Sequence, residues 1–293
     1  MERNTYTLSL LTAGFLLVIQ SLAQPLALQA ADNPVTYVTA PDPIPYTFQY
    51  SPPSTAYLTR LREMYGLEAV IASETTDLGR ARALCQWVHH RLDHDGHKQF
   101  KSQDAFAILN ASMLGQQVQC VEFGLVLTAA FNAVGIPARP LYLKAADVQT
   151  RTSAAGHALT EAWLPDQGKW VMVDSQADII PMLGKTPLNA VELQQAILRN
   201  DEQLAVLTST DAKAKPYFKW VDQYLFYFDT VMDNRYGVRS ARTGLMLVPV
   251  DAHKPVIFQR TEAIHNMHYT NSVTTFYSPP TGTDWILAER ETR

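Results

Sequence analysis

The sequence is poor in cysteine, carries no large excess of either charge, and past its first twenty residues has no long apolar run. Cys85 and Cys120 are its only cysteines. One disulfide is therefore the most the chain can hold, and the alternative is a free thiol available for chemistry. Lysine and arginine total 24 against 28 aspartates and glutamates, a net charge of −4, with no block of one sign. That gives no electrostatic basis for binding nucleic acid or an anionic membrane surface. Internal repeats and low-complexity tracts are also missing. What is present is a globular composition, 47% hydrophobic and 18% charged over 293 residues, enough for one large domain or a medium one with extensions.

The one marked apolar run, Leu8–Ile19, is short of the roughly 20 residues a spanning helix needs. Its length is that of a signal-peptide core, and Ser21-Leu22-Ala23 supplies small residues for cleavage, with a later cut near Ala30 as the alternative. The expectation is export to the periplasm or medium, with no membrane span once residues 1–23 are removed. Residues 24–54 read as a proline-rich leader, extended on the domain surface or disordered.

Periodic apolar positions predict a short helix from Thr55 to about Leu67 and a stronger one over Asp77–Leu92, with Cys85 on its apolar stripe. Asp104–Asn110 predicts another short helix. Residues Val121–Val134 are apolar on nearly every side, the pattern of a buried helix, and Gly135 with Pro137 ends it. Cys120 then sits in the first turn of that helix, beside N–H groups that have no intrahelical acceptor. Strands are expected near Arg139–Leu143, over His157–Leu164 and over Trp170–Gln176, with Pro165-Asp-Gln-Gly168 as the turn between the last two. Further on, Leu188–Leu198 reads as a helix. Leu245–Val250, Val256–Gln259 and Ser272–Tyr277 read as strands.

A helix N-terminus and a neighbouring imidazolium are the two influences that make a thiol nucleophilic, and a carboxylate that holds the imidazole completes such an arrangement. If Trp163 faces Trp170 across the turn, then Glu161 faces Met172 and Leu159 faces Asp174. His157 and Asp174 become diagonal neighbours on one face of the sheet. Ala158, Thr160, Ala162, Val171 and Val173 fall on the other face, against the core. A slip of one residue would separate His157 from Asp174. Glu161 shares their face and is the alternative orienting carboxylate.

The runs QCVEFGLVLTAAFNAVGIPARPL, GHALTEAW and GKWVMVDSQ together resemble the transglutaminase-like superfamily. The resemblance implies a catalytic triad of Cys120, His157 and Asp174. It also implies an α+β, papain-like fold in which the cysteine helix packs on an antiparallel sheet. Residues 55–200 form that domain, and 201–293 an aromatic-rich, β-containing C-terminal extension. The implied chemistry is acyl transfer at amide bonds of a peptide or protein substrate, cell-wall peptide included, through a thioester and without a cofactor. Water as acceptor gives a protease or amidase; an amine gives a cross-linking transglutaminase. Both stay open. Val118 and Gln119 stand where many members of the superfamily carry glycine, so the second oxyanion donor is open among Gln116, Gln117 and Gln119.

Other readings compete. A catalytically idle binding or assembly module for peptide or glycan keeps the fold and loses the chemistry, and a Cys85–Cys120 staple would remove the thiol. The cluster His89, His90, Asp93, His94, Asp95 and His97 has zinc-like spacing at His90 and His94. A helix C-terminus also favours histidine, and the solvated, end-capping reading is preferred to a metal site. Arg139 and Pro137 read as turn architecture. The aromatic stretch Trp220–Tyr236 reads as core rather than a substrate groove.

Overall fold

The computed structural model describes residues 35–97, 102–237 and 243–280. The signal peptide expected over residues 1–23 and the leader up to Pro34 lie outside the described residues. The later part of the proline-rich stretch is anchored rather than loose, because Phe48 and Tyr50 are buried in the core.

Where one helix was expected after Thr55 there are two, α1 (Ala56–Met64) and α2 (Leu67–Ile71). Gly66 between them adopts φ +59°, a left-handed conformation that breaks the helix. Helix α3 (Asp77–His89) is capped by Thr76, whose hydroxyl accepts the Gly79 N–H at 3.0 Å. The carboxylate of Asp104 caps α4 (Ala105–Met113) by accepting from the Phe106 and Ala107 N–H groups. Helix α5 (Cys120–Ala133) is buried along most of its length and stops where Gly135 takes φ +82°. Three more helices follow among the described residues, α6 (Ala190–Leu198), α7 (Ala214–Val221) and α8 (Val273–Phe276).

Six strands form the main sheet: β1 (Ala138–Lys144), β2 (Gly156–Leu164), β3 (Lys169–Val173), β4 (Tyr227–Val231), β5 (Gly244–Leu247) and β6 (Met267–Thr270). Their order is β6–β5–β4–β1–β2–β3, antiparallel except for the parallel β5–β6 pair. Half of the sheet thus comes from residues beyond 201. The fold is mixed α and β, as expected, with the cysteine helix on a largely antiparallel sheet.

The register of β2 and β3 is the one that the alternating pattern requires. Trp163 pairs with Trp170, Glu161 with Met172 and Thr160 with Val173. One face carries Ala162, Val171 and Val173 into a core shared with Phe123, Val126, Leu127 and Phe131 of α5. The opposite face carries Leu141, Leu143, Leu159, Trp170 and Met172 against Leu193 of α6, Tyr217 and Val221 of α7, and Phe276 of α8. Each fully buried leucine or phenylalanine here contributes about 1.5–3 kcal/mol.

Three sequence expectations need correction. Ser272–Tyr277 contains a helix, not a strand: the Ser272 hydroxyl accepts the Thr275 N–H at 3.1 Å and turns a β-branched run into α8. The strand expected over Trp170–Gln176 ends at Val173. Asp174 and Ile179 exchange backbone hydrogen bonds across a tight turn, which turns the chain away from β2 there. Arg139 is not turn architecture. It lies fully buried in β1 and pairs with Glu161 of β2 at 2.9 Å. Its guanidinium lies over the rings of Phe48, Trp170, Phe276 and Tyr277 and donates to the Phe276 carbonyl. That pairing also removes Glu161 as an orienting group for His157.

Candidate active site

Cys120 opens α5 and is half-buried; Cys85, on α3, is almost fully buried, and both are free thiols. The disulfide reading therefore fails on this structure. The Cys85 sulfur lies 3.6 Å from the Asp174 carbonyl oxygen and serves as packing beneath the end of β3. Burial, with the charges of Asp178 and Asp174 adding, pushes its thiol well above the usual range, which keeps it protonated.

His157, near the start of β2, places Nε2 2.8 Å from Asp174 Oδ2. Cys120 lies near enough to favour the charged form of the ring, and the two residues line the same cleft. The structure thus brings Cys120, His157 and Asp174 together in the order thiol, imidazole, carboxylate. Burial alone would favour the neutral imidazole. The Asp174 charge and its hydrogen bond, helped by Cys120, outweigh burial and push the His157 pKa up to about 10. Asp174 is buried too, which by itself raises its pKa; the His157 charge and hydrogen bond, together with Tyr217, hold it below the usual carboxylate range. At neutral pH the pair is an imidazolium and a carboxylate.

Close packing sets the position of the helix that carries the thiol. Gly124 lies one turn beyond Cys120, and a Cβ there would stand 2.9 Å from the Leu159 carbonyl oxygen of β2. The Thr160 hydroxyl meanwhile donates to the Gly124 carbonyl at 2.9 Å. The missing side chain lets α5 lie directly on the strand that presents His157.

The three residues are served by a cleft of about 730 Å³ that Cys120 and His157 line. Trp220 and Tyr224 form an aromatic wall of this cleft, with Tyr142 and Phe258, and His94, His97 and Gln119 flank the helix start. Trp220 presents its ring to the His157 imidazole at 4.8 Å and 71°. The core reading of the aromatic stretch holds for Tyr227 and Phe228 but not for Trp220, which is 37% exposed. A sequence signal existed, since Tyr217, Trp220 and Tyr224 recur at spacings of three and four, yet periodicity alone does not say which wall a helical face meets.

Of the oxyanion candidates, Gln119 alone reaches the cleft. Its backbone N–H donates to the Glu122 carboxylate and its side-chain amide to the Gly96 carbonyl, so both are already engaged. The first-turn N–H groups of Cys120 and Val121 have no intrahelical acceptor, and both residues line the cleft. Within the histidine cluster, His89 contacts the Ser175 carbonyl, and His90 is the C-terminal cap of α3. His94 sits in the cleft with its pKa lowered by burial and by the His157 charge. Among the described residues no group of three or more His, Cys, Asp or Glu side chains is arranged to hold a metal ion.

A thiol at a helix start, a charged imidazole and a carboxylate beside an open cleft form an arrangement suited to nucleophilic chemistry. Residues 67–175, a segment that spans Cys120, His157 and Asp174, match the transglutaminase-like superfamily. Among solved structures, a candidate cysteine protease from Cytophaga hutchinsonii is 10% identical with a TM-score of 0.33 over 71% of this chain. A TGase is 20% identical over 40%, with a TM-score of 0.31. Red sea bream transglutaminase is 16% identical over 43%, with a TM-score of 0.30. This chain covers 58%, 31% and 27% of those proteins. No curated protein matches it.

Proposed function

We propose that this chain is an exported cysteine-dependent acyl-transfer enzyme that acts on amide bonds of peptide or protein substrates, with Cys120 as nucleophile. The observation that carries the reading is the position of His157, hydrogen-bonded to Asp174 and lining one open cleft with Cys120. Export rests on the apolar run Leu8–Ile19 and the small residues that follow it. Among the described residues no helix is long and apolar enough to cross a membrane.

In the first half-reaction the Cys120 thiolate attacks the amide carbonyl carbon and forms a C–S bond. The developing oxyanion faces the N–H groups of the first turn of α5. The His157 imidazolium gives its proton to the amide nitrogen, the C–N bond breaks, and an amine leaves the thioester behind. In the second half-reaction water or a primary amine attacks the thioester carbon while neutral His157 takes the proton from that nucleophile. The C–S bond breaks and the thiolate–imidazolium pair is restored. Asp174 stays ionised throughout and holds His157 toward the sulfur. The acceptor decides whether the product is a cut amide or a new one.

The test compares wild type with Cys120→Ala on a panel of peptide amides, with and without an added primary amine. The reading predicts thiol-dependent release of an amine from wild type and none from Cys120→Ala. Full biological function in Cys120→Ala would overturn it and leave a binding module in its place.

A further inference from the structure

Asp174 is fully buried, and its carboxylate accepts hydrogen bonds at both oxygens. Oδ1 accepts the backbone N–H groups of Gln176 and Ala177 at 3.1 and 3.3 Å, within its own turn. Oδ2 accepts His157 Nε2 at 2.8 Å and the Tyr217 hydroxyl at 2.9 Å. Three of these four donors lie in or directly beside the segment that matches the superfamily, and the fourth comes from far outside it. Tyr217 belongs to α7, in the extension beyond residue 201.

We propose that Tyr217 is a positioning residue for the acyl transfer, its hydroxyl fixing Asp174 Oδ2 so that the carboxylate can hold His157 toward Cys120. This rests on the proposed reading of Cys120, His157 and Asp174 as the reacting set. A carboxylate oxygen bound to one imidazole can pivot about the Cβ–Cγ bond and carry the ring with it. A second donor at the same oxygen, from an element on a different side, removes that freedom. The hydroxyl suits this role because burial, with the Asp174 charge adding, raises its pKa well above the usual phenol value. It therefore remains a donor wherever the enzyme works.

The same helix also holds the ring. Trp220 lies one turn past Tyr217 and meets the His157 imidazole edge to face. Tyr217 and Trp220 contact each other, with centroids 5.9 Å apart. One short helix thus holds both partners of the histidine–carboxylate pair. The superfamily segment supplies the reacting atoms, and the extension supplies the constraint on them.

The test is a double-mutant cycle of Tyr217→Phe with Asp174→Asn, which keeps the ring and the packing while removing the hydroxyl. Tyr217→Phe alone is expected to lower kcat about tenfold with KM within about twofold, the loss of one hydrogen bond to a charged group. In the Asp174→Asn background it is expected to change kcat by less than about twofold, because the group it acts through is gone. Phe218→Leu, on the buried side of the same helix, is expected to lower Tm without changing kcat.

The cycle is also read on the alkylation rate of Cys120, which requires no substrate, so a chain that cleaves nothing still tests Tyr217. If Asp174→Asn does not fold, His157→Ala serves as the background for the alkylation cycle. Equal fold-losses in both backgrounds, or a Tyr217→Phe enzyme within about twofold of wild type in kcat and alkylation rate, would overturn the proposal.

Discussion

Two buried charge pairs lie on the same face of the sheet and share the strand β2: His157 with Asp174, and Glu161, four residues on, with Arg139. Their side chains are almost equally hidden, 3% and 1% exposed in the first pair and 0% in both members of the second. What surrounds them differs. Arg139 is closed in by four aromatic rings and a backbone carbonyl, with no route to a ligand. His157 has a thiol near it and an open cleft beside it. A buried ion pair is weak evidence for either stability or function. The neighbour on the open side decides which role it has.

The largest effect should come from breaking the open pair chemically while leaving its shape. Asp174→Asn keeps the volume but removes the charge and the preference for one imidazole tautomer. Amide turnover should drop by about 10³–10⁴-fold, read as kcat at fixed pH on folded protein. Breaking the sealed pair should hurt folding instead. Arg139→Leu strands Glu161 in an apolar enclosure and should cost about 3–5 kcal/mol in urea unfolding. Arg139→Met combined with Glu161→Leu should recover most of that loss. A double variant as unstable as Arg139→Leu would show that the stranded Glu161 charge is not what destabilises the single variant.

A geometric break comes next. Gly124→Ala forces a Cβ to within 2.9 Å of the Leu159 carbonyl, so α5 must move away from β2. Displacement of a nucleophile by a fraction of an ångström should reduce kcat by about 10–100-fold, and the Cys120 alkylation rate should change with it.

The pH dependence of stability sharpens the contrast further. The His157 pKa is raised on folding to about 10. Its contribution to stability is therefore full below the unfolded value of about 6.5 and is lost as pH rises through the folded value. Asp174, whose pKa is lowered, contributes in the opposite direction: its share is present above the unfolded value and is lost as pH falls through the folded one. Wild-type unfolding free energy should decline between about pH 7 and 10, and Asp174→Asn should flatten that decline. The smallest effect is expected from chelation. EDTA should leave turnover within about twofold, since the proposed chemistry runs through a thiol and an imidazole.

Much of the central site was legible because it rests on local rules. The alternation of β2 and β3 fixes which residues share a face, and the turn Pro165–Gly168 fixes the register, so His157 and Asp174 could be placed together from the chain alone. The apolar composition of α5 likewise placed Cys120 at a helix start. What could not be read depends on contacts between distant segments. Arg139 looks like a turn residue until Phe48, Trp170, Phe276 and Tyr277 close around it from far along the chain. Tyr217 lies 43 residues from Asp174, and no spacing rule connects them. Ser272–Tyr277 has strand composition, and a single serine cap overrides it.

Site-resolved alkylation of the folded, unreduced protein separates Cys120 as nucleophile from Cys85 as packing. Cys120 should be modified at neutral pH at least about tenfold faster than Cys85, His157→Ala should slow it, and amide turnover should fall in step with Cys120 modification. Equal protection of both cysteines, or full turnover after Cys120 is blocked, would contradict that assignment.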